Sequence, residues 1–164
     1  MQTLKNEMLT IQVSEHGAEL QSIRKDDYEY LWQGNPEYWG RRSPVLFPIV
    51  GSVWEKCFRV DGKVYEMGQH GFARDMDFEL VSAADTEVWY RLESSEKTFA
   101  AYPWPFVLEI GYRLEGSSVE VLWKVTNPGD TEMFFQIGAH PAFNYPDYDS
   151  ETVDRGIVEL DRKE

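Results

Sequence analysis

Apolar and polar side chains alternate along most of the chain with a period of two, the pattern of strands that bury one face. The clearest case is the segment 119–126, in which one face is apolar and the other is charged or polar. We expect the apolar face to be buried. It comprises Val119, Val121, Trp123 and Val125.

Turn residues separate the alternating runs about every ten positions, the spacing typical of an all-β sandwich or barrel. In KCFRVDGKVYEM, Asp61 and Gly62 predict a tight hairpin between two short strands. The segment SSEKTFAAYPW predicts one short helical turn before its prolines. The sequence therefore predicts an all-β sandwich, organised as a single domain over residues 1–164.

The composition of the chain limits which partners it is expected to bind and where in the cell it is expected to lie. The net charge of −13 repels nucleic-acid phosphates and anionic lipids, so we expect neither a nucleic acid nor a membrane as partner. The chain has no apolar run long enough to span a membrane, and its first twenty residues lack the features of a signal peptide. Cys57 is the only cysteine, which excludes an internal disulfide. We therefore expect a cytoplasmic protein.

Three histidines are the first candidates for chemistry. His16, in SEHGAEL, is expected to be a solvated turn residue. His70, in QHGFAR, and His140, in IGAHPAFNYP, each follow a strand-like run beside glycine or proline, where sites on β scaffolds are often built. For each of these two, a hydrogen-bonded structural imidazole is the alternative to a site residue.

Other kinds of site have little support in the sequence. No histidine pair has ligand spacing and only one cysteine is present, so no metal is expected. G-x-S-x-G, the P-loop and the glycine-rich dinucleotide loop are absent, which disfavours serine nucleophiles and phosphate-bearing cofactors. Trp32, Trp39 and Phe72 lie near polar turn residues and are either core or a wall for a sugar, whose C–H faces stack on aromatic rings. A carbohydrate site is the best specific hypothesis.

Five segments together resemble the aldose 1-epimerase (galactose mutarotase) family, with the closest likeness to its bacterial LacX-like branch. The likeness covers the N-terminal portion of the family and runs in order to about Pro146. The segments are GAEL (17–20), YLWQGNPEYWGRRSPVLFPIVGS (30–52), QHGFARD (69–75), YPWPFVLEIGYRLEG (102–116) and GAHPAFNYP (138–146).

The resemblance implies a galactose-mutarotase-like β-sandwich and an isomerase of carbohydrate metabolism that interconverts the α and β anomers of an aldose. One group takes the proton of the C1 hydroxyl while another protonates the ring oxygen, and neither a metal nor an organic cofactor is needed. By position in the motifs, His140 is similar to the general acid of the family. His70 is similar to the second histidine, on the ring-oxygen side.

The resemblance also implies several substrate-binding residues. Arg74 is similar to an arginine at the sugar site of relatives that act on sugar phosphates. A second arginine precedes the P-x-x-F-P run, and Arg41 and Arg42 are both candidates. Asn144 and Gln136 are weaker candidates for contacts with sugar hydroxyls. QHGFARD is thus expected to be one wall of a sugar site, with a structural turn network as the alternative.

This sequence departs from the family pattern at its C-terminal side. Family members are nearly twice as long, and their general base and a sugar-binding Asp lie in the C-terminal half. The acids at 147, 149, 151 and 154 match no family motif. We therefore expect a sandwich that is incomplete at the C-terminus, with uncovered apolar faces and edges that lead to a homo-oligomer or to another association. An epimerase, a truncated epimerase that lacks its general base, a non-catalytic carbohydrate-binding domain and an interaction domain all remain open.

Overall fold

The fold is almost entirely β-structure in the computed structural model, which describes residues 1–145, 149, 151 and 157–159. A single short α-helix, α1 (Glu96–Phe99), and two 3-10 turns, at Trp54–Lys56 and Ala73–Asp75, complete the described elements. No helix in these ranges is long and apolar enough to cross a membrane. The strands are β1 (Gln2–Lys5), β2 (Thr10–Val13), β3 (Leu20–Lys25), β4 (Tyr28–Glu29), β5 (Val45–Leu46), β6 (Cys57–Val60), β7 (Lys63–Glu66), β8 (Glu79–Ala83), β9 (Glu87–Glu93), β10 (Val107–Glu115), β11 (Ser118–Thr126) and β12 (Gly138–Ala139).

Two four-stranded antiparallel sheets provide the main layers. The first has the order β1–β2–β3–β4 and the second the order β11–β10–β9–β8. Two small two-stranded sheets, β5–β12 and β6–β7, extend this framework. The pair β5–β12 joins distant parts of the chain and positions one of the candidate histidines, His140, directly after β12.

The buried faces of the two large sheets share one hydrophobic core, which two tyrosines cross. The hydroxyl of Tyr112, on β10, donates to the carbonyl oxygen of Ala18 at 2.8 Å. The hydroxyl of Tyr90, on β9, donates to the carbonyl oxygen of Val13 at 3.2 Å. Burial raises the pKa of Tyr90 to about 12, so its hydroxyl remains a donor. The core is therefore tied together by hydrogen bonds as well as by apolar burial.

The structure confirms the two local elements that the sequence predicted most directly. The strands β6 and β7 pair about Asp61 and Gly62, which have φ angles of 49° and 78°. Two successive positive φ angles are those of a type I′ turn, which suits the twist of a hairpin. The helical turn is α1, whose capping residue Ser95 accepts a hydrogen bond from the backbone N–H of Thr98.

The expected burial of the apolar face of β11 is wrong for its central residues. Val121 and Trp123 keep 40% and 41% of their surface exposed, whereas Val119 and Val125 are half-buried. The alternation in the sequence predicted the strand correctly. It did not predict that the described part of the chain leaves the middle of this face uncovered.

Candidate active site

His70 lies in a tight turn between β7 and the 3-10 turn at Ala73–Asp75. Both His70 and the following Gly71 have positive φ angles, of 65° and 74°. The backbone N–H of His70 donates to the carbonyl oxygen of Gly51 at 2.7 Å. The left-handed backbone is unfavourable for a residue with a side chain, and strain of this kind is concentrated at functional sites. The turn holds the imidazole in one place.

Gly51 also determines the tautomer of His70. The backbone N–H of Gly51 donates to Nδ1 of His70 at 3.0 Å, so Nδ1 is an acceptor and the neutral ring carries its proton on Nε2. Burial lowers the pKa of His70, and the charges of Arg74, His140 and Arg41 lower it further. The geometry and the charges therefore both favour a neutral imidazole that offers Nε2–H as a donor.

Gly71 is required by the close approach of another backbone segment. A β-carbon at this position would lie 2.1 Å from the carbonyl oxygen of Phe47, far inside van der Waals contact. That oxygen accepts hydrogen bonds from the N–H groups of Phe72 and Ala73, at 3.0 and 3.2 Å. The His-Gly pair in the sequence thus has a physical reason: the histidine turn is attached directly to the segment that follows β5.

His140 reaches the same region from the other end of the chain. It follows β12, which pairs with β5, and its N–H donates to the carbonyl oxygen of Pro44 at 3.1 Å. Its ring centroid lies 6.0 Å from that of His70 and 5.0 Å from that of Trp39. The structure therefore brings together the two histidines that the sequence singled out, although 70 positions separate them.

Arg74 supplies the positive charge nearest to this pair. Its guanidinium is mostly buried, with 17% of the side chain exposed, and Nη2 donates to the carbonyl oxygen of Gln69 at 2.8 Å. Burial lowers the pKa of Arg74, as does the charge of Arg41 to a smaller extent, while Asp75 acts in the opposite direction. The buried Nε makes no hydrogen bond within the described residues, and its nearest charged partner is a carboxylate oxygen of Asp75 at 3.6 Å.

These side chains surround a recess of about 160 Å³, which we call the histidine recess. Trp39, which the sequence predicted as either core or a wall for a sugar, belongs to it, and so does Gln69, for which no role was predicted. The only signal for Gln69 was its place directly before His70. The recess is lined by Trp39, Pro44, Leu46, Gln69, His70, Arg74 and His140.

Four of the predicted substrate-binding residues lie outside this lining. Arg41 acts on the recess through its charge, which lowers the pKa of both His70 and Arg74, while its Nη2 donates to Asp75 at 2.8 Å. The side chain of Arg42 runs in another direction, to Gln21 and to the carbonyl oxygen of Gln33.

Asn144 and Gln136 differ more clearly from the expectation, because both make structural contacts. The amide nitrogen of Asn144 donates to the carbonyl oxygens of Glu29 and Leu31, at 2.9 and 3.1 Å. The amide oxygen of Gln136 accepts from the N–H of Val50 at 2.9 Å. Neither contact brings these side chains into the histidine recess. The predicted role of the two residues in binding hydroxyls therefore has no support from their positions.

A larger and more open cavity of about 670 Å³, which we call the outer basin, adjoins the histidine recess at Trp39. His16 lines it and is an exposed turn residue, as expected, and its Nδ1 lies 2.7 Å from a carboxylate oxygen of Asp77. Within the described residues, no group of three or more His, Cys, Asp or Glu is arranged to hold a metal ion. The outer basin is lined by His16, Glu19, Gln21, Gln33, Gly34, Trp39, Gly40, Arg41 and Arg42.

Several known proteins are similar to this chain in sequence and in fold. A family model described as aldose 1-epimerase matches residues 1–162. The chromosomal LacX protein of Lactococcus lactis subsp. lactis is 37% identical over 169 residues, which cover 98% of this chain and 56% of that protein. A galactose mutarotase related enzyme from Lactobacillus acidophilus is 40% identical with a TM-score of 0.89, over 92% of this chain and 51% of that one. A galactose mutarotase-like protein from Lactobacillus casei is 38% identical with a TM-score of 0.85, over 88% and 50%. The chain thus spans about half the length of these relatives.

Proposed function

Since the chain belongs to the aldose 1-epimerase family and has a galactose-mutarotase-like sandwich fold, we propose that the histidine recess binds an aldose and takes part in exchanging its α and β anomers. The observation that carries the proposal is the pairing of His70 and His140, whose ring centroids lie 6.0 Å apart beside Trp39 and Arg74. Two imidazoles at this distance can contact neighbouring oxygens of one sugar ring.

In this proposal His140 is the general acid. It donates a proton to the ring oxygen while a base takes the proton of the C1 hydroxyl, and the bond between the ring oxygen and C1 breaks to give the open-chain aldehyde. Rotation about C1–C2 then exposes the other face of the aldehyde, and ring closure returns both protons. An imidazole has an unperturbed pKa of about 6.5, which suits a group that must give and recover a proton near neutrality.

The protonation state of His70 and the charge of Arg74 determine how each would bind a sugar. His70, neutral and with its proton on Nε2, donates a hydrogen bond to a sugar oxygen and does not act as the base. Arg74 lines the recess and offers its charged guanidinium to a hydroxyl, because hydrogen bonds to a charged donor are stronger than neutral ones. Trp39 supplies an apolar surface for the C–H face of the sugar.

One observation favours a second candidate function, a carbohydrate-binding domain without catalysis. The reaction needs a base at the C1 hydroxyl, and no carboxylate of the described residues lines the histidine recess. Asp75 directly follows the lining residue Arg74 in the sequence, but its carboxylate already binds Arg41. A chain without a base would still bind the sugar, but it would lose the contribution of about 10²–10⁴-fold that such a group makes.

The rate of exchange between anomers tests the proposal directly. Freshly dissolved α-D-glucose and α-D-galactose are followed by polarimetry or NMR, with wild-type protein and with His140→Ala. We expect acceleration above the buffer rate, a loss of about 10²–10⁴-fold in His140→Ala, and partial recovery with added imidazole. Saturable binding without acceleration would favour the binding domain. The absence of both binding and acceleration would refute a sugar site.

A further inference from the structure

β11 is the outermost strand of its sheet. It pairs with β10 on one side, and on its other side no strand of the described residues pairs with it. An open edge of this kind offers a row of backbone donors and acceptors to a further strand. We propose that the open edge of β11 pairs antiparallel with β11 of a second copy, about a two-fold axis at Leu122, so that the two four-stranded sheets become one continuous sheet. This inference is independent of the proposed function.

On the face of this sheet that points away from the core, one row of charged side chains reaches the open edge with a positive end. Glu109, on β10, lies opposite Arg91 of β9 and Lys124 of β11. Its carboxylate oxygens lie 3.2 Å from Nη2 of Arg91 and 2.7 Å from Nζ of Lys124. The row has the signs plus, minus, plus. The side chain of Lys124, at the edge, is 64% exposed and can take a second partner.

A second row on the same face reaches the edge with a negative end. Arg113, on β10, lies opposite Glu87 of β9 and Glu120 of β11. Its Nε lies 2.6 Å from the carboxylate of Glu87, and its Nη1 lies 3.4 Å from that of Glu120. The two rows therefore have opposite signs throughout. Because antiparallel pairing of two copies joins the end of one row to the end of the other, the edge is complementary to itself.

A two-fold axis at Leu122 aligns these ends. Glu120 then lies opposite Lys124 of the second copy, and Lys124 lies opposite Glu120 of the second copy, because partners are equally spaced about the axis. Opposite charges stabilise such cross-strand pairs and like charges destabilise them. An axis at Glu120 or at Lys124 would place like charges opposite each other. A shift by one residue would turn the charged face of one strand to the apolar face of the other.

The same register also suits the apolar face of β11. It places Val121 opposite Trp123 of the second copy, and Val119 opposite Val125 of the second copy. Val121 and Trp123 are 40% and 41% exposed in the single chain, and the pairing reduces this exposure. Charge and burial therefore select one and the same alignment, which favours a second copy over an unrelated strand as the occupant of this edge.

Charge reversal tests the pairing of the two copies. Glu120→Lys and Lys124→Glu each place like charges opposite each other, and each also loses an ion pair within its own sheet. We expect sedimentation velocity to show a wild-type dimer, a dimer weakened about tenfold in either variant, and recovery in an equimolar mixture of the two variants. The ion pairs within the sheets are lost in the mixture as well, so recovery isolates the contact between copies.

Disulfide cross-linking tests the register, in a Cys57→Ser background that removes the natural thiol. Leu122 lies opposite Leu122 of the second copy, and opposite residues of an antiparallel pair have Cα atoms about 4.5–5.5 Å apart, within the range of a disulfide. Leu122→Cys should therefore give a covalent dimer under mild oxidation. Ser118→Cys is the matched control on the same face, because it lies opposite Thr126 and should not cross-link.

Several results would overturn the proposal. A monomeric wild-type chain would do so, as would a chain that carries a different polypeptide in place of the second copy, or a dimer that both charge reversals leave unchanged. Equal cross-linking of Leu122→Cys and Ser118→Cys would show association without this alignment, which also overturns it. If circular dichroism shows that a charge variant does not fold, the two cysteine variants decide the question.

Discussion

Replacing Gly71 by alanine tests how the histidine turn is held in place. The new β-carbon would meet the carbonyl oxygen of Phe47 at 2.1 Å, and the residue would keep a φ of 74° that costs about 1–2 kcal/mol outside glycine. Relief of the clash displaces that oxygen, which accepts from Phe72 and Ala73, and each lost hydrogen bond costs about 0.5–1.5 kcal/mol. We expect Gly71→Ala to lower the free energy of unfolding by about 2–5 kcal/mol.

Gly62 provides a matched control for that substitution. It has a nearly identical φ of 78°, and a β-carbon there would have no atom within 4 Å. Gly62→Ala should therefore carry only the backbone cost of about 1–2 kcal/mol. Urea unfolding at low protein concentration, followed by circular dichroism, measures both variants. If Gly71→Ala and Gly62→Ala lost equal stability, contact with Phe47 would not be what holds the turn. The steric explanation for a glycine directly after His70 would then be wrong.

Three further predictions concern stability and association. Folding lowers the pKa of His70, so the unfolded state binds the proton more readily than the folded state. The free energy of unfolding should therefore fall as the pH drops through the ordinary histidine pKa of about 6.5. Unfolding measured from pH 5 to 7.5 should show this pH dependence in the wild-type protein and lose the His70 contribution in His70→Asn. Tyr112→Phe leaves the buried carbonyl oxygen of Ala18 unpaired and should cost about 1–3 kcal/mol in urea unfolding, while an unchanged midpoint would contradict the proposed tie between the sheets. We propose that the isolated chain self-associates through the uncovered face of β11; light scattering should show a mass above the monomer that Val121→Lys and Trp123→Lys reduce, and a wild-type monomer would count against it.

Local chemistry made part of the fold predictable. The hairpin about Asp61 and Gly62 follows from two adjacent residues that tolerate positive φ, and alternation located β11 correctly. Whether Val121 and Trp123 are covered is a different question, because burial depends on what packs against a face and not on the pattern of the strand itself.

The sequence predicted which residues belong to the candidate site better than it predicted how they lie relative to one another. The motifs singled out His70 and His140, but only the pairing of β5 with β12 brings their rings together. The choice between Arg41 and Arg42 could not be made from sequence, because the two residues are adjacent and only the folded chain shows where each side chain points. In the structure Arg41 turns to Asp75 and Arg42 to Gln21.

The pairing of β5 with β12 also determines when the site forms during folding. Gly138 pairs with Leu46, 92 positions earlier, and closing so long a loop costs about 2 kcal/mol more than closing one of ten residues. The contact between Gly51 and His70 spans only 19 positions and can form first. We therefore expect His140 to join a turn that has already formed, and its N–H, bound to the carbonyl oxygen of Pro44, to be among the last amides protected in pulse-labelling hydrogen exchange.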